Sequence, residues 1–377
     1  MSAQRTVASC PQDTAPAKAG LRDLDIHGID TLIADAMAAG EMPGCVVCIG
    51  RQGKIAFLKA YGLRQVEPFE EPMTTDTVFD LASLTKPIAT GTAIILLVER
   101  GQLRLEDNAA DYLPGFGVKG KEAITVRQLL IHQSGLLPDN ALRDYLDGPE
   151  RAIERICELE LQNPVGEKFV YSDVNFIVLG ELVRRISGKP LDEFTRDEVF
   201  APLGMTATGF RPDEQLRRRA APTEQREGEW MKGEVHDPRA FELGGVAGHA
   251  GLFSTAEDLA VYSQMMLNRG EYGGQRILKS ETIERMTRGD QVSVGLRGLG
   301  WDKQSGYSYN GGERKSKAAF GHGGFTGTVL WIDPERDLFF IFLSNRLHPD
   351  GKGAVNRLAG MIADLAIDSL NSAVDVD

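Results

Sequence analysis

The sequence predicts an α+β fold: an antiparallel sheet flanked by helices, with a mostly helical domain inserted between its two halves. Three observations carry this. A helix followed by two strand-like runs opens the chain, and two strand-like runs followed by a helix close it. Between them, from about Ser83 onward, apolar residues recur at helical spacing. The simplest packing puts both end segments, 25–82 and 291–377, into one sheet-bearing domain. Residues 83–290 then form the helical domain, and 1–24 form a polar, flexible lead-in.

At the front, the spacing predicts a helix over Ile29 to Ala39 that stops at Gly40. CVVCIGR and IAFLKAYG, joined at Gln52-Gly53, read as a β-hairpin. Further helices are expected over Ile88 to Val98 and over Asn175 to Ile186, the latter stopped at Ser187-Gly188. Thr125 with Gln128, and Ser254 with Glu257, have the spacing of capping boxes. Arg217 to Asp237 is polar and turn-rich and reads as a long surface loop. At the back, GTVLWID and LFFIFLS flank a turn at Pro334 to Asp337, and an amphipathic helix is expected over Gly353 to Leu370.

Composition excludes several function classes. The 377 residues carry 42 Lys+Arg against 54 Asp+Glu, a net charge of −12, which disfavours nucleic acid and anionic membrane surfaces as partners. The most apolar stretch, Pro87 to Val98, is shorter than the roughly 20 residues of a membrane span. The first 20 residues hold no apolar run of the signal-peptide kind, so a cytoplasmic location is expected. Cys45 and Cys48 form a C-x-x-C, but on a strand residues three apart face opposite ways, which disfavours a redox or zinc pair. His236, Asp237 and His249 lack metal-ligand spacing, and His132, expected in the apolar helix VRQLLIH, reads as a hydrogen-bonded core histidine. No metal or organic cofactor is expected.

The chemistry concentrates in three short motifs. Ser83-Leu84-Thr85-Lys86 places an amine one helical turn from a hydroxyl. Apolar neighbours and a helix N-terminus would lower the pKa of that amine, and a neutral lysine can take a serine proton. With 16 Ser and 14 Lys in the chain, roughly 0.6 such S-x-x-K matches are expected by chance, so context must decide. Tyr171-Ser172-Asp173 stands directly before the helix near Asn175, where Ser172 or Asp173 would serve as N-cap, a role that does not call for the tyrosine. Phe320-Gly321-His322-Gly323-Gly324-Phe325 precedes the strand TVLWID, and glycines at that density allow close approach of backbone to a ligand. No G-x-S-x-G elbow, phosphate loop or dinucleotide fingerprint occurs.

In order and separation these motifs resemble the serine β-lactamase and penicillin-binding protein superfamily, near the class C β-lactamases, the D-Ala-D-Ala carboxypeptidases and the related esterases. Eighty-eight residues separate Ser83 from Tyr171 and 151 separate Tyr171 from His322. LIHQSGL (Leu130 to Leu136) and GGVAGHAGLFSTAEDL (Gly244 to Leu259) look like framework segments of the same superfamily. The resemblance implies a β-lactamase/transpeptidase-like fold with the site between sheet and helical domain. It implies Ser83 as acylated nucleophile, Lys86 as base or proton relay, and Tyr171 as proton shuttle. Asp173, His322, Gly323, Gly324 and Phe325 would meet the substrate, a small ester, amide or peptide, with the backbone N–H groups of Ser83 and Phe325 as oxyanion hole. Two positions depart from the pattern. Asp173 replaces an Asn that would contact a substrate amide, and an ionised carboxylate donates no hydrogen bond. His322 replaces a Lys and removes a permanent charge. Both changes favour neutral esters or amides over β-lactams and D-Ala-D-Ala. A true β-lactamase and a non-hydrolytic binding or scaffold member are the alternatives.

Overall fold

A computed structural model describes residues 10–371 of the chain. The two ends of the sequence meet in one sheet. Its strands are β1 (Gly44–Arg51), β2 (Lys54–Gln65), β3 (Glu71–Pro72), β4 (Asp290–Val292), β5 (Gly295–Arg297), β6 (Asp302–Gln304), β7 (Phe320–Gly324), β8 (Thr328–Asp333) and β9 (Leu338–Ser344). The nine strands run in the order β4-β5-β6-β7-β8-β9-β1-β2-β3. Every neighbouring pair is antiparallel. The central seam pairs the front of the chain with its back, Cys45 opposite Ser344 and Arg51 opposite Leu338.

The β-branched run of β1 is buried on both faces because helices cover both. Val46 and Cys48 pack with the helical region, while Cys45, Val47 and Ile49 pack on the other side with Ile29, Ile33, Ile362 and Ala366. The two cysteines therefore do face opposite ways. Helices α1 (Ile26–Ala38) and α5 (Asn356–Asn371) cover the outer face. The inner face carries α2 (Thr92–Glu99), α3 (Asp173–Ser187) and α4 (Ala256–Leu267). Each fully buried Leu, Ile, Val or Phe there contributes about 1.5–3 kcal/mol relative to exposure.

Local signals act largely as the sequence suggests. The Thr125/Gln128 capping box forms, and Ser172 caps α3 by accepting from Asn175 N. The second expected box does not form. Thr255, one residue later than Ser254, caps α4 by accepting from Asp258 N, while the Ser254 hydroxyl bonds Thr208 inside the core. The stretch 217–237 is not a loop. Its first residues end a short helix (Glu214–Arg219), and Pro222–Arg226 pairs with Glu229–Lys232 as a hairpin. Its turn falls at Glu227-Gly228, both in the left-handed region, a hairpin signal that the surrounding polarity masked. The lead-in also differs from expectation where it is described: Asp13 bridges Ile55, and Ala19 and Leu21 are buried under the sheet. Residues 1–9 of that expectation lie outside the described residues.

One helical stretch, Ala82–Glu99, is long and apolar enough by composition to cross a membrane, but 83% of it is buried inside the protein. It is the central core helix and carries Ser83 at its start. Backbone packs directly on backbone beside it. A Cβ on Gly248 would lie 1.8 Å from Phe176 O of α3, whereas one on Gly209 would meet nothing within 4 Å. Gly248→Ala should therefore destabilise the protein by about 1–3 kcal/mol in denaturant unfolding, and Gly209→Ala should change it by less than about 0.5 kcal/mol.

Candidate active site

Ser83 sits in a single tight turn (Ala82–Leu84) that feeds the core helix. The residue before it, Ala82, is held at φ 45°, a left-handed conformation disfavoured for a side chain bearing Cβ. Asp80 holds this turn, its Oδ1 accepting from Ala82 N at 2.8 Å and its Oδ2 from His236 N at 2.7 Å. The helix then widens through an i to i+5 turn over Lys86–Gly91, where Pro87 offers no N–H, before becoming regular at Thr92. Lys86 is fully buried in this turn.

The Lys86 ammonium has three partners from three parts of the chain. It donates to Ser83 Oγ at 2.9 Å and to His249 O at 3.2 Å, and lies 2.6 Å from Asp173 Oδ1. Burial pulls the Lys86 pKa down, but the charge of Asp173 and the contact with Tyr171 outweigh it and raise the amine above its ordinary value. The expected neutral lysine is therefore corrected: in the free protein it is an ammonium. Sequence reasoning weighed the apolar surroundings and the helix end but had no means of placing a carboxylate 87 positions away against that amine. Burial likewise works to raise the Asp173 carboxyl, and Lys86 overrides it, so Asp173 stays ionised.

Asp173 is the second correction. Expected on the substrate side, it turns to Lys86 and does not line the cavity in front of Ser83. The adjoining Tyr171 does line that cavity, and its ring lies 4.9 Å from Lys86 Nζ. Tyr171 is positioned from behind by His132, which stacks on it at 4.6 Å between ring centroids. His132 also accepts from Ser172 N through Nδ1 at 3.0 Å and from Val170 N through its carbonyl at 2.9 Å. The rest of LIHQSGL and the loop after it hold the same segment, with Ser134 Oγ on Asn175 Oδ1 and Leu137 O accepting from Ser172 Oγ. His132 is thus a core histidine as expected, and it also aligns the tyrosine.

The opposite wall is β7 and the turn after it. His322, Gly323, Gly324 and Phe325 line the same cavity of about 520 Å³ as Ser83 and Tyr171. Thr326 Oγ1 donates to Asp80 O at 2.6 Å and Thr328 Oγ1 to Leu81 O at 3.1 Å, which ties this turn to the residues just ahead of Ser83. Gly324 is required: a Cβ there would lie 2.3 Å from Leu81 O. His322 is buried, with Nδ1 2.7 Å from Gly323 O. Burial, with the charges of Arg297 and Lys86 added, holds it well below the ordinary imidazole value, so the ring is neutral. A larger cavity, about 790 Å³ and lined by Glu181, Arg184 and Asp192, contains none of the Ser83 group.

Sequence reasoning weighed Asp237 and His249 only as metal ligands and gave Arg297 and Asp302 no role. His249 carries the carbonyl that holds Lys86, and its ring Nε2 lies 2.9 Å from Asp237 Oδ1. Asp173, Asp237 and His249 bring ligand-type atoms within 4.8 Å of one another. Asp173 is engaged by Lys86 and Asp237 by His249, which makes the cluster an extension of the lysine site. Arg297 and Asp302 also line the cavity, paired across adjacent strands five residues apart.

The constellation is that of acyl transfer: a hydroxyl bonded to a buried amine, a phenol beside both, and a glycine-lined wall facing them. Comparisons with known proteins agree. Residues 29–364 match the family model described as Beta-lactamase. The chain is 36% identical over 360 residues to an N-acetylmuramyl-L-alanine amidase of Bacillus subtilis, covering 86% of this chain and 81% of that one. It is 32% identical over 373 residues to a protein of Escherichia coli K12 provisionally named D-alanyl-D-alanine carboxypeptidase, covering 89% and 86%. Among solved structures, EstCE1, a hydrolase with promiscuous acyltransferase activity, superposes with a TM-score of 0.74 at 22% identity over 93% of this chain and 99% of its own. A family VIII carboxylesterase superposes with a TM-score of 0.71 at 21% identity over 96% and 100%, a likeness of fold. With the motifs, the sheet topology and the Ser83–Lys86 contact in agreement, the chain belongs to the beta-lactamase family and is a serine hydrolase.

Proposed function

We propose that this hydrolase cleaves small ester or amide substrates through an acyl-enzyme on Ser83, with Asp173 as the proton store of a Lys86 relay. The observation that carries the reading is the 2.9 Å contact between Lys86 Nζ and Ser83 Oγ inside a buried turn. An ammonium cannot accept a proton, so Lys86 must first give one up, and Asp173 at 2.6 Å is the nearest acceptor. That contact is short but lacks hydrogen-bond direction at Oδ1, so a small rotation precedes transfer. The pair becomes neutral, and Lys86 then takes the Ser83 proton as Oγ attacks the substrate carbonyl carbon.

The resulting oxyanion is met by the backbone N–H groups of Ser83 and Phe325, donors typically worth about 3–4 kcal/mol of barrier each. As the scissile C–O or C–N bond breaks, the proton passes from Lys86 through Tyr171 to the leaving group, and Asp173 returns its proton to the amine. Water then attacks the ester carbonyl by the same relay, releasing the acid and free Ser83. The neighbours' names support an acyl substrate: amidase and carboxypeptidase among the relatives, carboxylesterase among the structures of like fold.

Ser83→Ala should abolish labelling by a fluorophosphonate probe, and Lys86→Ala and Tyr171→Phe should each lower kcat by at least about 10²-fold. Absent labelling of the wild type would point to a non-hydrolytic binder. A side-by-side assay of p-nitrophenyl butyrate, an acyl-D-Ala-D-Ala peptide and nitrocefin should show ester or peptide turnover exceeding nitrocefin turnover; the reverse order would mark a true β-lactamase. The pH dependence tests the relay. His132 and His322 are both held well below 6.5, chiefly by burial, so falling pH does not charge them near neutrality and wild-type kcat/KM should show no limb at pH 6.5. In Asp173→Asn burial still lowers the Lys86 amine while the carboxylate no longer opposes it, so the amine should titrate lower than in the wild type and the rate should rise with pH as it loses its proton. Superimposable profiles for wild type and Asp173→Asn would remove Asp173 from the relay.

A further inference from the structure

His236 and Asp237 do not line the cavity in front of Ser83, yet separate contacts carry them to its nucleophile, its lysine and its oxyanion turn. His236 acts first through its backbone. Its N–H donates to Asp80 Oδ2 at 2.7 Å, and Asp80 Oδ1 accepts from Ala82 N at 2.8 Å. One buried carboxylate thus ties His236 to the strained residue directly ahead of Ser83. Such a carboxylate is tolerated out of water only while its oxygens stay hydrogen-bonded, which holds both N–H groups to it. The His236 ring stacks on the Phe325 ring at 5.6 Å between centroids, on the residue whose N–H faces the oxyanion.

Asp237 acts through its side chain. Its Oδ1 accepts from Ala240 N at 2.8 Å, capping the short helix Pro238–Glu242, and the same atom lies 2.9 Å from His249 Nε2. The cap alone calls for only the first of these contacts. The second fixes a buried ring whose own backbone carbonyl accepts from Lys86 Nζ at 3.2 Å. The hairpin that replaced the expected loop holds this pair of residues from behind. Glu224 Oε2 lies 2.6 Å from His236 Nε2, and Arg226 Nη2 donates to Val235 O at 3.1 Å and to His236 O at 2.9 Å.

We propose that His236-Asp237 is a positioning brace for the hydrolytic reaction: His236 N sets the Ser83 turn through Asp80, and Asp237 sets, through His249, the carbonyl that aims Lys86 at Ser83 Oγ. The two arms leave from adjacent residues, so a shift in one displaces the other. Hydroxyl and amine keep their 2.9 Å contact only while both arms hold. A misplacement of about 1 Å between reacting groups can cost about 10²-fold in rate, so the brace acts on kcat rather than on substrate binding. This inference rests on the acyl-enzyme reading above and is tested so that the two failures can be told apart.

The test separates the helix cap from the brace. Asp237→Ser keeps a capping oxygen but is about one bond too short to reach His249, whereas Asp237→Asn keeps both acceptor contacts. Asp80→Asn keeps one of its two acceptors. The readouts are the rate of Ser83 labelling by a fluorophosphonate, which needs no knowledge of the natural substrate, kcat and KM for p-nitrophenyl butyrate, and the unfolding temperature. Asp237→Ser should slow labelling and lower kcat at least about 10-fold with KM and unfolding temperature little changed, and Asp237→Asn should recover most of the loss. In the Asp80→Asn/Asp237→Ser double variant the combined loss should fall short of the product of the single losses by at least about 3-fold, because both break one unit. Single losses that multiply, wild-type rates in Asp237→Ser, or an Asp237→Asn as slow as Asp237→Ser would each overturn the brace while wild-type labelling keeps the acyl-enzyme reading intact. If Asp237→Ser does not fold, His249→Leu, which removes the same contact from the other side, takes its place in the cycle. If Asp80→Asn does not fold, the Ser-to-Asn recovery at 237 decides. A wild type that takes up no label overturns the acyl-enzyme reading and the brace together.

Discussion

The site depends on a positive charge kept where water cannot reach it. The Lys86 ammonium lies inside a core helix, and a charge so placed is tolerated only if its surroundings replace the lost solvent. Asp173 does so by charge, and Ser83 and the His249 carbonyl do so by hydrogen bonds. Each of these three stands on a different segment. Holding the lysine therefore requires that the start of α3, the glycine-rich loop over Gly248 and the turn at Ser83 meet at one point. The packing of glycine on helix backbone at Gly248 and Phe176 is what lets that loop come close enough.

From this constraint the rest of the architecture acquires its purpose. The sheet gives a rigid wall, because β7 is paired on both sides within an antiparallel order. The turn after β7 is bonded through Thr326 and Thr328 to the residues preceding Ser83, which fixes the wall against the nucleophile's turn. Ala82 beside the nucleophile is strained, and Asp80 holds its unfavourable φ. A strained residue over-determined by its surroundings beside a reactive hydroxyl is a recurring arrangement at functional sites. The charge pattern follows the same division: behind Ser83 the carboxylates of Asp173 and Asp237 stabilise the lysine, while in front of it the arginines face the cavity.

Asp173 and His322, the two positions that depart from the resembled motifs, do different work. An Asp at 173 keeps Lys86 protonated, which moves the terminal base from the amine to the carboxylate. His322 is neutral, so β7 itself presents no cation to the cavity. Read singly, each change suggests a neutral substrate. The cavity nonetheless carries positive charge, because Arg297, Arg346 and Arg357 line it.

Much of this was legible in the chain itself. Apolar spacing and capping residues located α3, the β1–β2 hairpin and the closing strands, because those signals are local and act within a turn or a strand pair. The three motifs located Ser83, Lys86, Tyr171 and the β7 wall, because their residue types and order are distinctive. Local polarity misled at 217–237, where a hairpin replaced the expected loop, and at Ser254, where core bonding to Thr208 displaced the cap. The protonation state of Lys86, the turning of Asp173 away from the cavity and the burial of Arg297 were decided only in three dimensions. Burial and Coulomb forces depend on distances between segments far apart in sequence, and no periodicity or spacing encodes those distances.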